Sequence, residues 1–157
     1  MNLFYTHEDP WKAARDLADS HAVKMPLEQA QMMSSTHRLL ETPQAPFVYK
    51  MTHKNHPSTK WIRSSQIAYK WGLEHLEALL AEYRYRYGRI HKTQREKLQY
   101  LKAVPAALPD LPFIAPPQCI YDECKTEDTV QAYRNYYKAR RSEIDMRWTK
   151  RSAPVWL

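Results

Sequence analysis

His21, Lys24, Glu28 and Gln31 recur at intervals of three and four residues in the segment from Leu17 to Gln31. On a helix, that spacing stacks side chains along one face. An amine and a carboxylate on one stripe are the groups that proton transfer or amine catalysis requires. The plainer alternative is a Lys24–Glu28 ion pair one turn apart, worth about 0.3 kcal/mol.

The elements that must carry these residues read as helices. Only two glycines, Gly72 and Gly88, occur in 157 residues, too few for a protein built on tight hairpins. Asp9-Pro10 is a start signal for a helix to about His21, and Pro26 forces a kink or restart before the run to about Leu40. Pro43, Pro46 and Pro57 break the next stretch into a loop. From Ser58 to Tyr87, apolar and aromatic residues keep helical spacing, with Trp61 and Trp71 on the core side and Gly88 as the stop. Thr93-x-x-Glu96 reads as a capping box for a short basic helix to about Ala103. A Pro-rich excursion from Pro105 to Pro117 follows, then a helix capped by Thr126 and running to about Glu143. The aromatic tail from Arg147 to Leu157 is expected to tuck back onto the body. The expectation is an all-α, compact single domain with one long central helix.

Charge is uneven along the chain. Residues 1 to 48 hold four Lys/Arg against six Asp/Glu, although the net charge of the whole is +7. Arg84 to Lys102 carries seven basic residues and one acid, and Arg134 to Arg151 seven and two. Tyrosines and tryptophans lie among these cations and can stack on unpaired bases, so DNA is the expected partner. No segment has the roughly 20 apolar residues of a membrane span, and nothing at the N-terminus reads as a signal peptide. With two isolated cysteines, the expectation is a reduced, cytoplasmic, soluble monomer without a cofactor.

The order Leu17-Ala18-Asp19-x-His21, then Glu28, resembles the N-terminal helix of the phage pyrimidine-dimer DNA glycosylases of the endonuclease V type. A second pattern is similar to bacterial relatives of that family. It comprises Lys24-x-x-x-Glu28-x-x-Gln31, Asn55-His56-Pro57-x-x-x-Trp61, Tyr69, and Glu82-Tyr83-x-x-Arg86-Tyr87-Gly88. Tyr133-Arg134-Asn135-Tyr136-Tyr137 and the terminal Trp-Thr-Lys-Arg-x-x-Pro-x-Trp look like uncharacterised phage-encoded members, which implies a host cytoplasm or nucleoid location. The resemblance covers residues 1 to 92 most closely. It implies a helical fold and base excision in which an amine forms an imine with deoxyribose, with Glu28 as the catalytic carboxylate and His21 beside it. Leu27 and Gln31 stand where the phage enzymes carry arginines, and Asn2 stands where a small residue ordinarily follows a removed Met. The amine is then that of Met1, of Asn2, or of Lys24. An α-amine, with a reference pKa near ~8, is more readily unprotonated at neutrality than a lysine near ~10.4.

For DNA contact, Gln31 and the loop His53, Lys54, Asn55 and His56 are candidates. The loop opens a helix whose free amides and neighbouring Lys50 and Lys60 favour phosphate. Arg63, Arg86, Arg89, Lys92 and Arg95 extend the basic set, with Tyr83 and Tyr87 on the core side and Arg86 turned away from it. His53 and His56 with Glu74 or His75 could suit a divalent metal, but their spacing matches no ligand signature and no metal is expected. Three functions compete: a DNA glycosylase, with or without lyase activity, for damaged or modified pyrimidines; a phage DNA hypermodification enzyme on the same scaffold; and a non-catalytic nucleic-acid-binding or anti-defence protein.

Overall fold

The Asp9 side chain accepts from the Trp11 and Lys12 amides and Pro10 takes the first turn, so helix α1 spans Pro10–Asp16. In the computed structural model, which describes residues 1 to 157, α2 is Asp19–Leu39, α3 Pro57–Ile62 and α4 Gln66–Tyr87. The shorter α5 (Lys92–Glu96) and α6 (Leu98–Leu101) follow, and α7 is Thr129–Ala139. The fold is all-α, with α4 packed across both α1 and α2.

Several boundaries differ from the sequence expectation. The first helix stops at Asp16, and a new one begins at Asp19, whose amide donates to the Arg147 carbonyl at 2.8 Å. Pro26 lies inside α2 without ending it, and Met25, Pro26, Gln29, Met32 and Met33 are all buried. A mid-helix proline costs about 3 kcal/mol or more, and this buried face must offset that cost. The long helix expected from Ser58 is two. Ser65 caps α4 by accepting from the Ala68 amide, while the Gln66 amide donates to Pro109. His91, not Thr93, caps α5, and Asp128, not Thr126, caps α7. Gly88 closes α4 at φ +66, the left-handed conformation expected of a stop.

One core of 27 buried residues joins all the long elements, and Trp61 and Trp71 belong to it. The N-terminal segment runs through this core, with Leu3, Phe4, Tyr5 and Thr6 all buried. Phe4 takes a positive φ of 48°, a strained conformation for a residue with a side chain. Its ring stacks on His21 at 4.2 Å and meets Tyr137 edge-on at 5.8 Å, an aromatic cage that holds the turn. The tail folds back as expected: Trp148 Nε1 donates to the Asp16 carbonyl and Trp156 Nε1 to the Asp16 carboxylate.

Candidate active site

The turn at Phe4 brings the beginning of the chain to α2. Asn2 fixes it: its Oδ1 accepts from the Leu3 amide at 2.8 Å and from the Tyr133 hydroxyl at 2.7 Å. Its Nδ2 donates to the Cys119 carbonyl at 2.9 Å. Held this way, the Met1 α-amine lies 3.6 Å from Glu28 Oε2, while Lys24 Nζ lies 3.7 Å from Oε1 of the same carboxylate. The three groups differ in environment. The Met1 side chain is 4% exposed and Glu28 23%, whereas Lys24 is 55% exposed and stands in solvent. At this separation the amine and the carboxylate form an ion pair slightly longer than a direct hydrogen bond, and proton exchange between them needs only a small approach.

The His53–His56 loop faces the same point. Burial holds the His56 imidazole below its ordinary range, the charges of the Met1 amine and His53 lower it further, and Glu28 opposes them. His56 Nδ1 accepts from the Ser58 amide at 3.2 Å, which leaves the neutral ring's proton on Nε2. His53, like Phe4, has a positive φ, here 47°. Two of the four non-glycine residues with positive φ thus lie in the N-terminal segment and in the loop that carries His56.

The basic residues divide into free and committed groups. Lys54, Asn55, Lys60, Arg89 and Arg95 are exposed. Lys92 is exposed with its ammonium 4.0 Å from Glu96. His91 lies beside the Val23 backbone, so this basic segment abuts the turn of α2 that carries Lys24. Gln31 is half-buried on the next turn of α2, and Arg63 is half-buried with one Nη atom enclosed and unpartnered.

Arg86 corrects the sequence reading. It points into the core rather than away from it, donating to Glu82 at 2.8 Å, to the Leu17 carbonyl at 2.8 Å, to Asp19 at 3.0 Å and to the Arg15 carbonyl at 3.1 Å. Four of its five N–H groups are spent inside the protein and the residue is 2% exposed, so it does not present itself to phosphate, and Tyr83 and Tyr87 are only half-buried. His21 is likewise structural. Its Nδ1 lies 2.5 Å from the Tyr137 hydroxyl, and burial, with Lys24 and Arg140 adding to it, pulls the ring down to about 4. Asn2 acts as an anchor through its side chain. Its partners Tyr133 and Cys119 are more than a hundred residues away, and no local pattern in the sequence marks them.

His75, one of the residues weighed for a metal, is fully buried, and no three His, Cys, Asp or Glu side chains converge to hold an ion. Both cysteines are free, and no helix is long and apolar enough to cross a membrane. A cavity of about 500 Å³ lies beside Tyr5 and Trp71 and does not include the amine. Compared with known proteins, the chain matches no family model, no curated protein and no solved structure.

Proposed function

We propose that this chain is a DNA-directed base-excision enzyme of the amine-nucleophile kind, acting on a damaged or modified pyrimidine. The observation that carries the reading is the Met1 α-amine held 3.6 Å from Glu28, with His56 near enough to feel both charges. In the proposed reaction, the unprotonated nitrogen attacks C1′ of an extruded nucleotide and the base leaves with the electron pair of its glycosidic bond. A proton from the amine passes to Glu28, which returns it to the ring oxygen as the sugar opens to an imine. Exposed Lys54, Lys60, Arg89, Lys92 and Arg95 supply phosphate contacts. Extruding the base costs a few kcal/mol, least at a damaged or mismatched position.

Borohydride reduction in the presence of abasic, damaged or modified-pyrimidine duplexes tests the proposal, because it converts the imine to a stable protein–DNA adduct. Glu28→Gln keeps the shape of the side chain and removes its charge, and should reduce trapping by about 100-fold or more. One glycine added before Met1 moves the amine by about 3.5 Å and should abolish the adduct, whereas Lys24→Arg should preserve it. An adduct that survives the added glycine but is lost in Lys24→Arg would move the nucleophile to Lys24. No adduct with any of these substrates would refute amine chemistry and leave a basic helical DNA binder, which binding assays with the same duplexes would detect.

A further inference from the structure

A cavity of about 500 Å³ opens between the N-terminal segment, α4 and the Pro-rich strap. Its walls are Tyr5, Trp71 and Phe113, and its polar groups are Glu8, Glu74 and Lys70. We propose that this recess binds a small organic cation of the alkylammonium class. The inference is independent of the amine chemistry, since the two sites share no residue.

Three observations support it. First, the aromatic walls converge and are held in place. Tyr5 and Trp71 lie 5.1 Å apart between ring centroids at 49°, Phe113 is 6.5 Å from Tyr5, and Trp71 Nε1 donates to the Glu8 carbonyl at 2.8 Å. An alkylammonium within about 6 Å of such ring faces is attracted by their quadrupoles. Second, two carboxylates face one ammonium, so the recess is net negative on a chain of net charge +7. Neither Glu8 nor Glu74 takes part in an ion pair within the protein, which leaves both charges free for a ligand. Third, the negative field reaches the wall itself. Burial, then the charges of Glu8 and Asp128, push the Tyr5 hydroxyl up to about 12, so it remains a neutral phenol.

The volume lies within the roughly 300–1,000 Å³ of small-molecule sites. A phosphate or carboxylate ligand would meet two like charges here. A bare metal ion would find fewer than three ligating side chains. An alkylammonium matches both the acids and the aromatic faces.

Choline and its neutral isostere 3,3-dimethylbutan-1-ol, titrated against the full-length chain by tryptophan fluorescence and by NMR, separate charge from shape. Choline should bind at least about tenfold more tightly than the alcohol, and added salt should weaken it. Glu74 and Phe113 are surface positions, so Glu74→Gln and Phe113→Ala should fold normally by circular dichroism and each weaken choline about three- to tenfold. Lys70→Gln should strengthen it. Equal affinity for choline and the alcohol, or no saturable choline binding up to about 50 mM, would overturn the proposal. So would choline affinity unchanged in both Glu74→Gln and Phe113→Ala.

Discussion

Replacing His75 with leucine should make the protein more stable at neutral pH and less sensitive to acid. The imidazole is fully buried in α4, 4.9 Å from Trp71, and neither ring nitrogen has a hydrogen-bond partner. Burial pulls His75 down to about 3, and it is the largest cause holding His21 and His37 near about 4. At His37 burial favours the neutral ring and the network sets its tautomer. Tyr69 donates its proton to the Leu101 carbonyl and so must accept from Nε2, while Nδ1 accepts from Thr42. Because all three folded pKa values lie below the unfolded value near ~6.5, the unfolded chain takes up protons first as pH falls. The stability is therefore fully present above about pH 6.5 and drains away toward about pH 4, at up to about 1.4 kcal/mol per pH unit for each ring. Over that window each histidine costs about 3 kcal/mol, and three together rival the whole stability of about 5–15 kcal/mol typical of a domain. Acid unfolding should thus begin well above the carboxylate range. In His75→Leu, removing two unpaired buried nitrogens should add about 1–3 kcal/mol at neutral pH. Urea unfolding followed by circular dichroism between about pH 7.5 and pH 4.5 should give a slope shallower by about one proton in the variant. An unchanged slope would show that His75 does not carry its share of the acid sensitivity and would refute the argument.

Arg86→Lys should cost about 2–4 kcal/mol, read as a lowered thermal midpoint, because a single ammonium cannot span Glu82, Asp19 and two carbonyls that the planar guanidinium reaches together. Glu82 would keep Arg151, whose two contacts are each 2.9 Å, so the loss should fall short of that from Glu82→Ala. Replacing exposed Arg89, Lys92 and Arg95 together with glutamine should weaken DNA binding about equally across sequences and flatten its logarithmic salt dependence by about two to three units. An unchanged salt slope would remove this segment from the interface.

Helix content was legible because scarce glycine, the helical spacing of apolar residues and the Asp9-Pro10 start are local signals. The two missed breaks are not local. α2 starts at Asp19 because the Arg147 carbonyl receives that amide, and α4 starts at Gln66 because the Pro105–Pro117 strap offers carbonyls at Leu108 and Pro109. No pattern within a helix-length window contains those partners. Arg86 was misplaced for a different reason. Treating Tyr83 and Tyr87 as the core face turned Arg86 outward, although the Glu82-x-x-x-Arg86 spacing already offered it a partner one turn away. The Lys24–Glu28 pair was legible in the same terms. The Met1 amine stood beside Asn2 and Lys24 only through the family resemblance, and no spacing could choose among them, because its approach to Glu28 depends on Asn2 reaching Tyr133.

That dependence has a consequence for the chemistry. The ion pair of Lys24 and Glu28 could form in an isolated helix, but the Met1–Glu28 pair needs the tertiary fold, since Tyr133 of α7 and the Cys119 carbonyl hold Asn2. The aromatic recess draws on the same N-terminal segment through Tyr5 and Glu8, four and seven residues beyond the amine. The charges of the two places are opposite: the amine side sets Met1 and Lys24 against the single carboxylate of Glu28, while the recess sets Glu8 and Glu74 against the single ammonium of Lys70. A polyanion drawn to the first is repelled by the second, and an organic cation behaves the other way round. The short stretch from Met1 to Glu8 thus joins two oppositely charged sites, and docking it against α2, α4 and α7 assembles both at once.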